Sequence, residues 1–176
     1  MSTMALAVLA LVLPGQVPKE PAKDLSLHFE KAPGIEVRAV DYHWQPVLFE
    51  AMEKGRRDIP EATRNWVVAR VMIETRPFTL DGVRMPVGSY AFTLWPNLDG
   101  KGMAVEMRRV DMRDVLPNLN AISPAPPGET IYKGPARFET ASPLADQLSV
   151  KVTEGEGTVV LTLRYGDRQL PLTLTR

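Results

Sequence analysis

The chain contains no cysteine, and this absence excludes several kinds of chemistry at once. A protein without thiols has no disulfide bonds, no thiolate metal site, no cysteine nucleophile and no lipid-modified N-terminal cysteine. Histidine is almost as scarce, because His28 and His43 are the only two and they do not form the H-x-x-x-H pair of a helical zinc site. We therefore predict no metal site and no cofactor.

The chain also lacks an excess of charge of either sign. Its 21 Lys and Arg residues equal its 21 Asp and Glu residues, so the formal net charge is zero. Proteins that bind nucleic acids usually carry a basic excess, because contacts with phosphates drive their affinity. A cationic amphipathic stretch suited to an anionic membrane surface is missing as well. Nucleic acid is therefore not an expected partner.

The apolar run at the N-terminus is too short to cross a membrane. Met4–Leu13 contains ten apolar residues and ends at Pro14-Gly15, whereas a membrane-spanning helix needs about 20. A run of this length suits the hydrophobic region of a signal peptide. We predict a signal peptide over residues 1–15, a periplasmic or secreted location, and no transmembrane span in the mature chain. The alternative is a buried N-terminal strand or helix.

A proline-rich stretch follows, and residues 16–34 are predicted to be a linker. Its prolines argue against a long helix, although the alternation of Leu25, Leu27 and Phe29 allows a short edge strand there. The remaining residues, 35–176, show neither an internal repeat nor a change in composition. They are predicted to form one domain.

The patterns within this domain are typical of a β-protein. Ile35 begins an alternation that predicts a strand to about Trp44, and Trp66–Thr75 is apolar enough for a central strand. Residues 46–54 begin with proline and are followed by Gly55, which predicts a short helix. Short strands with turn signals every ~8–12 residues predict an all-β, mainly antiparallel fold. We expect a single β-sandwich or open barrel with one short helix near residues 46–54.

Glycine positions predict where the chain turns. Asp81-Gly82 is a strong hairpin signal, and Pro86 with Gly88 predicts a turn in which Gly88 takes a positive φ. Glu154–Gly157 and Gly166-Asp167 separate three alternating segments near the C-terminus. These segments predict an antiparallel meander.

No standard catalytic motif is complete, and the densest group of functional side chains is Asp41-Tyr42-His43-Trp44. On a strand, Asp41 and His43 would share one face, with Tyr42 and Trp44 on the other. A histidine beside a carboxylate is the minimum arrangement for a general base. These four residues are our first candidates for ligand binding.

The three tryptophans, Trp44, Trp66 and Trp95, allow two interpretations. They could form an aromatic platform for a sugar or a peptide, or they could fill the core of a sandwich, since large aromatic side chains dominate core burial.

Several segments are similar to those of a known family. They are Tyr42 in an early strand, Lys54-Gly55-Arg56, Asn65 just before a strand, and Met85–Tyr90, which looks like the family's L-P-A-G-T-Y segment. On these segments and the last two strands, the domain resembles the bacterial secreted domain-of-unknown-function family numbered 2911. The resemblance implies an exported β-domain and supplies no known reaction. Arg56 and Asn65 complete the set of candidate ligand-binding residues.

Three functional hypotheses follow from the sequence. The first is a non-enzymatic periplasmic or envelope binding or accessory module, whose partner is a small molecule, a glycan or an envelope protein. The second is a hydrolase-like enzyme that uses Asp41 and His43. The third is a purely structural component of the envelope.

Overall fold

A computed structural model of the chain describes residues 27–55, 66–96, 102–111 and 128–176. The predicted signal peptide lies outside these residues, as does most of the predicted linker. The described part contains ten strands and one helix: β1 Leu27–Ala32, β2 Ile35–Val40, α1 Pro46–Glu53, β3 Trp66–Ile73, β4 Phe78–Leu80, β5 Val83–Met85, β6 Gly88–Pro96, β7 Met103–Arg109, β8 Glu129–Ala136, β9 Glu139–Gly155 and β10 Thr158–Thr175.

The strands form two antiparallel sheets. The larger sheet has the order β1-β2-β3-β6-β7-β8, and the smaller has the order β5-β4-β10-β9. Both sheets contribute to one apolar core, with Val71 and Phe92 from the larger sheet and Leu161 and Leu163 from the smaller. Within the described residues the sheets do not close into a barrel. The predicted all-β fold is confirmed, and it is a sandwich.

The edge strand β1 shows that the predicted linker ends too late. β1 pairs with β2 along its whole length, from Leu27 opposite Val40 to Ala32 opposite Ile35. Pro33 lies in the tight turn between the two strands, where its fixed φ suits a turn. Residues 27–32 are therefore part of the sheet, and the edge strand that the alternation allowed is present.

The helix and the central strand match their predictions. α1 has Pro46 in its first turn, buries Phe49 and Met52 on one face, and is followed by Gly55 with a φ of +60°. β3 lies between β2 and β6, and all but one of its residues are buried.

Strand β10 reverses direction within its length. Its 18 residues would extend for about 60 Å if straight. However, the amide of Arg176 donates to the carbonyl of Gly157 at 2.8 Å, so the chain returns to the point where the strand began. Gly166 lies midway between these two residues and has a φ of +62°. β10 pairs with β9 from Thr158 to Gln169, with shifts of register around Gly166, and its last residues pair with β4. The predicted meander with a turn at Gly166-Asp167 is confirmed.

The predicted turns before β6 are also present. Asp81 and Gly82 both have positive φ values, +47° and +80°, and join β4 to β5. Gly88 has a φ of +155°. The hydroxyl of the fully buried Tyr90 donates to the carbonyl of Pro86. The chain bends at Val87, Gly88 begins β6, and the hydroxyl of Tyr90 holds this bend.

Candidate functional site

The predicted cluster begins where the chain leaves the larger sheet. β2 ends at Val40, so the prediction of a strand to Trp44 was wrong. The amide of Tyr42 donates to the carbonyl of Val40 at 2.9 Å, which turns the chain out of the sheet. The amide of Trp44 then donates to Asp146 O at 2.8 Å, and the amide of Leu148 donates to Tyr42 O at 2.7 Å. Residues 42–44 thus lie along the edge of β9.

The aromatic side chains of this segment pack into a cluster between the helix and the smaller sheet. Tyr165 of β10 is central: its ring centroid lies 4.7 Å from that of Trp44 and 5.0 Å from that of Trp66. Tyr42 contacts Trp66 edge-on at 5.5 Å. We call the following six residues the aromatic cluster: Tyr42, Trp44, Phe49, Trp66, Phe138 and Tyr165.

The hydroxyl of Tyr165 holds the backbone of the segment. It donates to the carbonyl of His43 at 2.6 Å and accepts from the amide of Gln45 at 3.1 Å. Burial raises the pKa of Tyr165 and that of Tyr42 to about 12. Both phenols therefore keep their protons at neutral pH, which suits hydrogen bonding and not nucleophilic or base chemistry.

Beneath the cluster lies a cavity of about 40 Å³. It has room for roughly one or two water molecules, so it is too small for a ligand. Its wall consists of Tyr42, Gln45, Leu48, Phe49, Met52, Trp66 and Tyr165.

A much larger cleft, of about 500 Å³, lies on the outer side of Trp44. Ligand sites in proteins typically have volumes of about 300–1,000 Å³ and combine apolar walls with a few polar groups. We call this site the Trp44 cleft, and it is lined by Trp44, Pro46, Phe49, Glu50, Glu53, Lys54, Leu144, Asp167 and Arg168.

The turn of β10 fixes the position of Trp44. Gly166 packs directly against the indole ring, so closely that a Cβ atom at this position would overlap three ring atoms. The first part of β9 curves round the same turn, with Ala145 opposite Gly166 and Thr140 opposite Arg168. This curvature places Leu144, whose side chain is 58% exposed, at the rim of the cleft.

Paired charges also line the cleft. The guanidinium of Arg168 donates to Glu53 of α1 at 3.3 Å and to Asp167 at 2.9 Å. The hydrogen bond with Glu53 is the main reason that the pKa of Arg168 is raised. Lys54 pairs with Glu50 at 2.5 Å.

The predicted site residues have different positions in the structure. Trp44 lines the cleft and Tyr42 lines the cavity, whereas the half-buried Asp41 and the exposed His43 line neither of them. Arg56 and Asn65 lie outside the described residues. The second hypothesis, which needs Asp41 and His43 in one site, therefore gains no support from the cavity or the cleft.

The three-tryptophan platform is not formed. Trp44 and Trp66 both contact Tyr165. Trp95 follows Leu94, the strand partner of Trp66, and therefore lies on the other face of the sheet, with the ammonium of Lys133 5.2 Å from its ring centroid.

Of the nine residues that line the cleft, Trp44 alone was among the predicted site residues, and four of the other eight show why sequence patterns missed them. Glu53 lies in the last turn of a helix, and Leu144 lies in a strand without regular alternation. Asp167 and Arg168 lie at a turn that the sequence predicts, but nothing in the sequence marks this turn as part of a site. The turn signal itself identifies Asp167 as exposed, but only the fold brings it beside Trp44.

In residues 27–55, 66–96, 102–111 and 128–176, no three His, Asp or Glu side chains lie close enough together to bind a metal ion. No helix in the same ranges is both long and apolar enough to span a bilayer.

Comparisons of the chain with protein-family models, with curated proteins and with solved structures find no match. The resemblance to the family numbered 2911 stays a prediction.

Proposed function

We propose that the chain is an exported binding module of the periplasm or cell envelope and that it holds its ligand in the Trp44 cleft. The cleft itself is the observation that carries this proposal. It has the volume of a ligand site, and its lining combines aromatic and charged side chains.

The rigidity of the cleft supports binding. Trp44 is packed between Gly166, Tyr165 and Phe49, so the ring loses little freedom when a ligand contacts it. Ligand affinity improves when the binding groups are already in place, because less conformational entropy is lost on association.

Export and the family are separate parts of the proposal. Export rests on the apolar run Met4–Leu13 and the break at Pro14-Gly15. The similarity of Met85–Tyr90 to a family of secreted domains points the same way. Mass spectrometry of the protein recovered from a bacterial periplasm should show that about the first 15 residues are missing.

The cleft is tested by a ligand screen on the folded chain. A ligand that binds the native state raises the melting temperature, so a library of small molecules, oligosaccharides and short peptides is screened by thermal shift. Leu144→Glu places a charge at the cleft rim, and Val83→Glu places the same charge at an exposed position on β5.

We expect at least one class of ligand to stabilise the natural chain and Val83→Glu, but not Leu144→Glu. A library without any stabilising ligand, or ligands that stabilise both variants equally, would contradict binding in the Trp44 cleft.

A further inference from the structure

We propose that the ligand of the Trp44 cleft is a neutral saccharide whose ring packs against Trp44. This inference rests on the binding function proposed above and adds the chemical class of the ligand. Three observations carry it: the fixed indole ring, the arrangement of donors and acceptors around Arg168, and the pairing of the cleft charges.

The indole ring offers an apolar surface that is held in place. Gly166 covers part of the ring, Tyr165 contacts it edge-on at an interplanar angle of 84°, and the half-buried Trp44 is one of the residues that line the cleft. One face of a pyranose ring consists mostly of C–H groups, which carry a partial positive charge and pack well on the negative face of an aromatic ring.

Donors and acceptors alternate next to this wall. Arg168 has five N–H groups, and one each is used for Glu53 and Asp167. Each of these carboxylates has a second oxygen that can accept a hydrogen bond. A sugar hydroxyl both donates and accepts, so neighbouring hydroxyls match a guanidinium that is flanked by carboxylates.

The charges favour a neutral ligand over an anionic one. Each charged side chain that lines the cleft has a partner of opposite sign: Arg168 with Glu53 and Asp167, and Lys54 with Glu50. Three carboxylates, Glu50, Glu53 and Asp167, face the two cations Lys54 and Arg168, so an anionic ligand would have to separate a cation from its partner. The side chains of Arg168 and Glu53 are only 30% and 29% exposed, so that separation would lose a partly desolvated contact. Hydroxyl groups can bind without separating them.

The test is direct binding of short neutral oligosaccharides of glucose, N-acetylglucosamine and mannose, measured by calorimetry on the folded chain. We compare the natural chain with Trp44→Phe, which keeps an aromatic ring of smaller area, and with Asp167→Asn, which removes a charge but keeps the shape. Glu156→Gln, in the exposed turn at the opposite end of the β9–β10 hairpin, is the matched control.

We expect one of these oligosaccharides to bind, with roughly tenfold weaker affinity in Trp44→Phe and Asp167→Asn and unchanged affinity in Glu156→Gln. Because the ligand is neutral, the affinity should stay constant between low and high salt, whereas binding of an ion would weaken. Melting temperatures measured in parallel show whether a loss of affinity is a loss of folding. If Trp44→Phe has a lower melting temperature than the natural chain, the affinity of Asp167→Asn is the measurement that tests the proposal.

The two proposals fail in different ways. If a charged or purely apolar ligand binds in the cleft and the oligosaccharides do not, the saccharide class is wrong and the binding function stands. If oligosaccharides bind equally well to all variants, the contact with Trp44 and Asp167 is wrong. If nothing in the wider screen binds, both proposals fall.

Discussion

The first half of β10 lies between two glycine turns that are nearly identical in backbone conformation and very different in surroundings. Gly157 has a φ of +67° and Gly166 a φ of +62°. Around Gly157 no atom lies within 4 Å of where a Cβ would be, whereas at Gly166 the ring of Trp44 occupies that space. The first turn depends on the local chain alone. The second also depends on a residue that comes much earlier in the sequence, and that contact builds the candidate site.

The largest expected effect separates these two turns. Gly166→Ala should destabilise the chain by about 3–5 kcal/mol, because a strained backbone adds to the displacement of a large packed ring. Gly157→Ala should cost about 1 kcal/mol, since only the backbone conformation is disfavoured. Denaturant unfolding of both variants measures the difference. Equal losses would mean that the contact between Gly166 and Trp44 is unimportant.

Gly88 provides an intermediate case. Its φ of +155° is also unfavourable for other residues, and its nearest neighbour is the guanidinium of Arg109, 3.2 Å from the Cβ position. An exposed arginine can move aside where a packed indole cannot. Gly88→Ala should therefore cost about 1–3 kcal/mol, between the other two variants. An unfolding midpoint like that of the natural chain would contradict the turn at Pro86–Gly88.

A smaller effect is expected from removing a tyrosine hydroxyl. The hydrogen bonds of Tyr165 join distant segments, whereas that of Tyr90 is local. The hydroxyl of Tyr165 connects β10 to His43 and Gln45, whereas the hydroxyl of Tyr90 bonds to Pro86, four residues away. Tyr165→Phe should cost about 1–2 kcal/mol, because two backbone groups lose their partner. It should also speed hydrogen exchange at the Gln45 amide. Tyr90→Phe should leave the exchange rate of the Gln45 amide unchanged. Faster exchange of this amide in Tyr90→Phe would contradict the distinction between the distant and the local hydrogen bond.

The contrast between local turns and contacts of distant segments also explains how much could be predicted from the sequence. Turns such as Asp81-Gly82 and strands such as β3 follow from local patterns, because backbone preference and alternation are properties of neighbouring residues. The end of β2 at Val40 was missed, since the pairing of residues 42–44 with β9 is a contact between distant segments. For the same reason Trp44 could be identified as a candidate, but its neighbours Glu53 and Arg168 could not.

The tyrosine phenols have no effect on the pH dependence of stability at neutral pH and affect it only in alkaline solution. The chain has four tyrosines, and burial raises the pKa of all of them, to about 12 for Tyr42, Tyr132 and Tyr165. Unfolded tyrosine loses its proton near pH 10. Between about pH 10 and pH 12 the unfolded state therefore binds fewer protons than the folded state, so stability falls as the pH rises. Below about pH 10 both states are protonated and the phenols cause no change.

Phenylalanine variants assign this loss to a region of the molecule. Tyr42 and Tyr165 belong to the aromatic cluster, whereas Tyr132 bonds to Asp81 beside the β4–β5 turn. Melting temperatures between about pH 9 and pH 12 should fall less steeply in the double variant Tyr42→Phe, Tyr165→Phe than in the natural chain. Tyr132→Phe removes only one of the raised groups, so its slope should lie between the two. If the double variant loses stability as steeply as the natural chain, the phenols of the aromatic cluster are not desolvated, and the packing around Trp44 is looser than the contacts of Tyr165 indicate.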